Sequence, residues 1–136
     1  GRILALDYGK KRTGVAVTDE LRITANGLDT VETKHLWEFL QTYLAKETVD
    51  VLVVGEPKRM NDEPSDIEGS ITPFVNRFKK HFPQIPVHRQ DERFTSKLAM
   101  QAMIQAGAKQ KTRRKKELVD KVSAVLILQS YLEENT

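Results

Sequence analysis

Three acidic residues of this chain of 136 residues stand where a carboxylate could take part in catalysis. Asp7 follows the apolar run RILAL, and Glu92 follows the short segment VHRQD. Both segments are predicted strands, the first of them buried, and an acid at the end of a strand is held rigidly and can still face a ligand. The structural alternatives are that Asp7 only begins a turn and that Glu92 only favours the dipole of a following helix.

The third acidic residue, Asp120, lies in the C-terminal segment LVDKVSAVLILQSYL. In a helix, small and apolar residues share its face, namely Ser123, Ala124 and Ile127. Such a face packs inward, and burying a lone carboxylate is costly unless a cation or hydrogen-bond donors meet it. A metal ion would meet that need, and the alternative is a salt bridge to Lys116 or Lys121.

If these three carboxylates converge on one site they favour a divalent metal, because they cannot all stay ionised side by side without cations. Hard oxygen ligands select Mg²⁺ or Mn²⁺ over softer metals. Two such ions would activate a water molecule and stabilise the leaving oxygen in an in-line displacement at phosphorus. Asp7, Glu92 and Asp120 are therefore the predicted metal ligands and catalytic residues, with Asp91 as a secondary candidate.

A glycine-bracketed turn follows Asp7, with Gly9 and Gly14 on either side of Lys10, Lys11 and Arg12. The missing side chains would let a phosphate approach the backbone, and the three cations would bind it. Similar glycine spacing occurs in the first phosphate loop of actin-like ATPases. The chain is too short for the two lobes of those enzymes, and no second phosphate loop is apparent.

A second basic segment runs from residue 109 to residue 116 and carries six lysines and arginines with no acid. Removing these six from the 22 basic residues leaves 16 against 19 acidic residues, so the rest of the chain carries a net charge of −3. Such a segment attracts polyanions. We expect it to be a mobile loop that orders on nucleic acid, and the alternative is a solvated connection.

Composition indicates one compact domain over residues 1–136. Hydrophobic residues make up 39% and charged residues 30%, which is ordinary for a soluble globular protein, and the absence of cysteine excludes disulfides and thiolate metal sites. No apolar stretch has the length of a membrane span and no signal-peptide pattern opens the chain, which favours a cytoplasmic protein.

Periodicity predicts an α/β fold with a mixed sheet and helices on both faces. Strands are predicted at 2–6, 13–18, 23–31, 49–55 and 87–91, with a bulge or break in the third at Asn26-Gly27. Helices are predicted at 35–45, from 71 to the prolines at 83–86, at 95–106 and at 117–133, and residues 57–70 are predicted to form a loop. The three histidines have no ligand-like spacing, and Trp37 is expected to serve packing.

Four motifs in this order resemble the YqgF/RuvX family: ALDYGKKRTGVAVTD, VLVVGEP, DER followed by FTS, and LVDKVSAVLILQSYL. The resemblance covers essentially the whole chain. It implies a ribonuclease H-like fold with a five-stranded mixed sheet, and a nuclease that processes the 5′ end of the small-subunit ribosomal RNA precursor. It also implies Asp7, Glu92 and Asp120 as the acidic cluster. Glu56 departs from the uncharged residue expected after VVG and is a further secondary metal candidate.

The expected partner is nucleic acid, with a ribosomal RNA precursor favoured over DNA junctions and a monomer or homodimer as the assembly. The residues expected to bind its phosphates are the cations nearest the motifs: Lys10, Lys11, Arg12, Arg93, Arg113, Arg114, Lys115 and Lys116. Two alternatives stay open, a Holliday junction resolvase and a nucleic-acid-binding module without catalytic activity. A module without activity would bind its substrate equally well with and without metal.

Overall fold

The computed structural model describes residues 1–57, 66–91 and 112–135, with the backbone alone for residues 112–117. Its strands are β1 (Arg2–Asp7), β2 (Arg12–Thr18), β3 (Ala25–Glu32), β4 (Val49–Glu56) and β5 (Val87–Asp91). Its helices are α1 (Leu36–Lys46), α2 (Glu68–His81) and α3 (Thr112–Glu134), and a 3-10 turn at Thr33–His35 precedes α1. Among the described residues, no helix combines the length and the apolar character that a membrane span requires.

The five strands form one mixed sheet in the order β3-β2-β1-β4-β5. The pairs β1–β2 and β2–β3 are antiparallel, and the pairs β1–β4 and β4–β5 are parallel. This order puts the end of β1 and the start of β2 at one edge of the sheet, together with the ends of β3, β4 and β5. Asp7 at the end of β1 and Asp91 at the end of β5 therefore lie at the same edge.

Helices cover both faces of the sheet, as the sequence predicts. One core lies under α1 and α2 and includes Leu4, Leu6 and Phe78, and the other lies under α3 and includes Ala5 and Ile127. Consecutive residues of β1 enter opposite cores because side chains alternate along a strand. This explains why RILAL is apolar at nearly every position rather than at every second one.

All five predicted strands are present, and the predicted irregularity in β3 is confirmed. Val15 pairs with Asp29 whereas Ala16 pairs with Gly27, so Leu28 is the extra residue of a bulge. The predicted helix at 95–106 lies outside the described residues. The helix α2 begins at Glu68, three residues before its predicted start at Ile71, so the prediction of a loop is wrong for residues 68–70, and residues 58–65 of that predicted loop lie outside the described residues.

The prediction of a loop throughout the basic segment is wrong for its second half. Helix α3 begins at Thr112 rather than at Glu117, so Arg113, Arg114, Lys115 and Lys116 lie in its first turns. Arginine and lysine have long unbranched side chains that lose little freedom in a helix, and no glycine or proline interrupts this stretch. A run of like charges predicts a solvated loop, but the high helix propensity of these residues outweighs that pattern here.

Candidate functional site

Asp7 is the last residue of β1 and lies on the face of the sheet that α3 covers. Ile3 and Ala5, two and four residues earlier, belong to the core under α3, whereas Leu4 and Leu6 belong to the core on the other face. The alternation of side chains therefore directs Asp7 toward α3. Its partner across the antiparallel pair is Gly14 of β2.

Gly14 brings Asp7 and Asp120 together, because α3 lies directly on it. A Cβ built on Gly14 would lie 1.8 Å from the carbonyl oxygen of Asp120 and 3.1 Å from the backbone nitrogen of Lys121. Directly opposed residues of antiparallel strands have their Cα atoms about 5 Å apart. The backbone of Asp120 thus rests on the residue paired with Asp7, at the edge of the sheet where β1 ends.

Gly14 does not expose its backbone to a ligand as predicted, whereas Gly9 stays partly exposed. The space above Gly14 is filled by α3, and a Cβ on Gly9 would lie 2.4 Å from the carbonyl oxygen of Arg12, within the turn itself. Both glycines are required by close backbone packing. The comparison with a phosphate loop of actin-like ATPases therefore finds no support at Gly14.

The cation beside Asp120 is Arg12 of β2. The Nε of Arg12 donates to Oδ2 of Asp120 at 2.8 Å, and the side chains are 34% and 24% exposed. The prediction that Asp120 faces the sheet is confirmed, since Ser123, Ala124 and Ile127 on the same helical face are buried. The alternative partner Lys121 instead lays its stem over Gly27 of β3, and the side chain of Lys116 lies outside the described residues.

The secondary candidates Glu56 and Asp91 are paired with each other at the ends of β4 and β5. Alternation places both on the face under α1 and α2, because Val54 and Val87, two and four residues earlier, belong to that core. They therefore lie on the opposite face from Asp7 and Asp120. Glu92 and Arg93 lie outside the described residues, and within 1–57, 66–91 and 112–135 no three acidic or histidine side chains form a metal-binding group.

The predicted phosphate-binding cations Lys10, Lys11 and Arg12 line one cleft of about 440 Å³ beside this site. Lys34, which follows β3, adds a fourth cation that the sequence analysis did not single out. The remaining lining residues come from the end of β3: Thr30, Val31 and Glu32. The cleft is thus formed by the β1–β2 turn on one side and by the β3–α1 connection on the other.

Arg89 of β5 is a second residue that the sequence analysis missed. Its guanidinium donates to the carbonyl oxygens of Val54 and Gly55 at 3.2 and 2.9 Å and pairs with Glu68 in the first turn of α2. It therefore fixes the end of β4 and the start of α2. The sequence signal was an arginine inside a predicted strand, where a half-buried cation needs a partner.

Aromatic residues on the α1–α2 face have structural roles. Tyr8 packs against Phe74 with ring centroids 5.3 Å apart, and burial raises the pKa of its phenol. Trp37 packs edge-on against the same Phe74, and the guanidinium of Arg77 stacks on its ring at 3.9 Å, so the expected packing role is confirmed. Tyr8 thus anchors the chain on this face as it leaves β1.

Sequence comparison matches residues 1–134 to the family model described as "RuvX: Holliday junction resolvase". A protein of Christiangramia forsetii is 58% identical over 98% of each chain. A protein of Phocaeicola vulgatus is also 58% identical, over 97% of this chain and 95% of its own. Both carry the name "Putative pre-16S rRNA nuclease".

Structure comparison finds the same fold in a distant enzyme. T. thermophilus RuvC, solved in complex with a Holliday junction substrate, superposes with a TM-score of 0.58 at 18% identity, over 99% of this chain and 96% of its own. At that identity the likeness concerns the fold, which is the ribonuclease H-like fold with its mixed five-stranded sheet. From the family match and these relatives, the chain belongs to the RuvX family.

Proposed function

We propose that this protein is a metal-dependent nuclease that hydrolyses phosphodiester bonds in the precursor of the small-subunit ribosomal RNA. The observation that carries the proposal is the position of Asp7. Its strand partner Gly14 packs directly against the backbone of Asp120. Two carboxylates from distant parts of the sequence thereby reach one edge of the sheet. An acidic pair beside a cleft with four cations suits a reaction at a phosphate.

The donor set fits a hard divalent cation. Asp7 and Asp120 offer carboxylate oxygens. Alternation along β5 places His88 and Gln90 on the α3 face. Glu92 is two residues beyond Gln90 in the sequence. Arg12 takes one oxygen of Asp120, and a carboxylate has further lone pairs for a metal. When bound, Mg²⁺ or Mn²⁺ supplies a nucleophile from water and neutralises charge on the leaving oxygen.

The cations around this site would bind the nucleic-acid backbone. Lys10 and Lys11 lie in the turn that follows Asp7, and Arg12 holds the carboxylate of Asp120 in place. The first turn of α3 contains no acidic residue, so no carboxylate offsets the positive end of its helix dipole there. Arg93, next to Glu92 in the sequence, is proposed as a further phosphate contact.

The substrate assignment follows the names of the relatives, which specify pre-16S rRNA. We accordingly place its action in the cytoplasm, on a ribosomal RNA precursor, as a monomer or homodimer. A second candidate, cleavage of DNA four-way junctions, is favoured by the family description and by the likeness to RuvC. The two candidates share the same catalytic site and differ in the shape of the nucleic acid.

Purified protein should cleave a transcript containing the 5′ leader of the small-subunit rRNA when Mg²⁺ or Mn²⁺ is present, and EDTA should abolish the cleavage. The metal requirement follows from the acidic pair. Matched reactions would contain a DNA four-way junction and unstructured single strands of equal length, analysed by end-labelled electrophoresis. Preferential cutting of the junction would make DNA four-way junctions, rather than the rRNA precursor, the favoured substrate. Binding without cleavage in the presence of either metal would identify a non-catalytic module.

Glu92→Gln should cost far more activity than Glu56→Gln. Glu56 lies on the face opposite Asp7, beyond Val54 in the core under α1 and α2, so its carboxylate is poorly placed to share a metal with Asp120. Rates on the same RNA would rank the two variants, since each substitution removes one charge and little volume. A crystal soaked in Mn²⁺ with Glu56, but not Glu92, within about 2.0–2.6 Å of the ion would contradict this order.

A further inference from the structure

The cleft of about 440 Å³ between the β1–β2 turn and the β3–α1 connection has a strong excess of positive charge. Among the described residues, its lining contains the four cations Lys10, Lys11, Arg12 and Lys34 against the one carboxylate of Glu32. Glu32 is already engaged, with an oxygen 3.4 Å from Nζ of Lys34 and 3.7 Å from Nε2 of His35. A volume of this size lies in the lower part of the range for small-molecule sites, about 300–1,000 Å³.

The backbone of the basic turn is fixed by one residue on the other side of the cleft, Thr33. Its hydroxyl donates to the carbonyl oxygen of Gly9 at 2.6 Å, and its backbone N–H donates to the carbonyl oxygen of Lys11 at 2.8 Å. The buried hydroxyl of Thr13 lies 2.9 Å from that of Thr33 and completes the chain of hydrogen bonds. Lys10 and Lys11 are thus presented from a turn that is held in shape before any ligand arrives, which lowers the entropic cost of binding.

The cleft is continuous with the proposed catalytic site through a shared residue. Arg12 lines the cleft and also donates to Asp120, and its Cα is paired with that of Glu32 in the sheet. An anion bound here would therefore lie next to the acidic pair, on the β3 side. Thr30 and Val31 complete the lining at the end of β3.

We infer that this cleft is a nucleotide subsite that holds one phosphate-bearing nucleotide of the substrate strand next to the scissile bond. Recognition is through the phosphate and independent of the base, because the part of the lining that the structure describes offers four cations and no aromatic ring to stack on. The inference rests on the proposed nuclease function and adds to it a second contact region, apart from the first turn of α3. Lys34 and Thr33 are the residues it newly assigns, Lys34 as a phosphate contact and Thr33 as a positioning residue.

The first test is a titration of ¹⁵N-labelled protein in EDTA with adenosine 5′-monophosphate, inorganic phosphate or adenosine, followed by amide chemical shifts. The monophosphate should shift the amides of Gly9, Lys10, Lys11 and Lys34, inorganic phosphate should do so more weakly, and adenosine should not. Equal shifts with adenosine would overturn recognition through the phosphate. Amide shifts confined to the first turns of α3 would show that the phosphate binds there and not in this cleft.

The second test measures the salt dependence of binding to a labelled single-stranded RNA in EDTA, which prevents hydrolysis. Lys34→Gln should reduce the slope of log affinity against log salt by about 0.7, the contribution of one phosphate contact on a single strand. The matched control is Lys80→Gln, an exposed lysine near the C-terminal end of α2, which should leave the slope unchanged. Equal slopes for Lys34→Gln and the parent protein would overturn the subsite while leaving measured cleavage, and hence the nuclease function, intact.

The variant Thr33→Val distinguishes the positioning of the basic turn by Thr33 from the charge of the lysines and arginine in the cleft. It keeps every cation but removes the hydrogen bond to Gly9, so affinity for the monophosphate should fall severalfold with an unchanged salt slope, and Thr33→Ser should restore it. If Thr33→Val binds as tightly as the parent, the fixed turn is irrelevant and the positioning role is wrong. Failure of the parent protein to bind any RNA would instead count against the proposed function itself.

Discussion

Asp7→Asn should lower the rate of phosphodiester hydrolysis at least about a thousandfold while leaving the fold intact. The substitution removes the negative charge that would hold a divalent cation at the end of β1, and it changes almost no volume. Asp7 faces α3 beside Gly14, so the lost charge lies at the centre of the proposed site. The measurement is single-turnover cleavage of the RNA leader, with circular dichroism and thermal unfolding to check the fold.

Asp120→Asn should give a loss of similar size, with one difference. It also removes the charge that pairs with Arg12, and a partly exposed pair of this kind contributes no more than about 1 kcal/mol to stability. This variant should therefore lose its hydrolysis rate but little of its stability, with the thermal unfolding midpoint changing by a few degrees at most. A large stability loss with normal specific activity would mean that Asp120 serves only the salt bridge to Arg12.

The matched control for both variants is Asp50→Asn. Asp50 is also a strand carboxylate with an arginine partner, since the guanidinium of Arg22 donates to its Oδ2 at 2.6 Å. It lies at the start of β4, at the opposite edge of the sheet from Asp7. Its replacement should leave hydrolysis unchanged. Wild-type turnover by Asp7→Asn or Asp120→Asn would show that the acidic pair is not the catalytic centre.

The sheet was predictable from the sequence because its strands carry a signal that does not depend on distant contacts. Strand β1 is apolar on both faces, and VDVLVVG in β4 has the same character, which is typical of strands covered on both sides. The inward orientation of Asp120 was predictable for a similar reason, since the small residues that follow it share one helical face. These patterns are local, and local patterns determine which secondary-structure element forms and which of its faces is buried.

The partner of Asp120 was not predictable, because it depends on the angle at which α3 crosses the sheet. Sequence spacing suggested Lys116 or Lys121, which lie on the same helix. The observed partner Arg12 is 108 positions away and reaches Asp120 because α3 passes directly over β2. The cleft with Lys34 was missed for the same reason, since the turn after β1 and the end of β3 meet only through strand pairing.

The second large predicted effect is a loss of stability on substitution of Gly14, whose lack of a side chain allows α3 to lie close to the sheet. Gly14→Ala should destabilise the fold by about 3 kcal/mol, which corresponds to a fall of about 10 °C in Tm. The new Cβ would lie 1.8 Å from the carbonyl oxygen of Asp120, well inside van der Waals contact. Backbone on both sides meets at this point, so no side chain can rotate away and the whole helix must move.

Two further alanine substitutions calibrate that effect. At Gly27 the added Cβ would meet Cγ of Lys121 at 2.8 Å, the stem of a flexible side chain that can shift, so the loss should be clearly smaller than at Gly14. At Gly69, in the first turn of α2, nothing lies within 4 Å of the added Cβ. Gly69→Ala should therefore leave stability unchanged or raise it by up to about 1 kcal/mol, since alanine is the better helix former.

Displacement of α3 by Gly14→Ala should also reduce hydrolysis in the protein that remains folded. Asp120 would move away from Asp7 along with the helix, and an error of about 1 Å in a catalytic group can cost about a hundredfold in rate. Urea unfolding would give the stability, and cleavage assayed well below the unfolding midpoint would give the activity. Gly14→Ala with the stability and the turnover of Gly69→Ala would mean that α3 does not rest on β2 at this residue, and the assembly of the site from Asp7, Gly14 and Asp120 would be wrong.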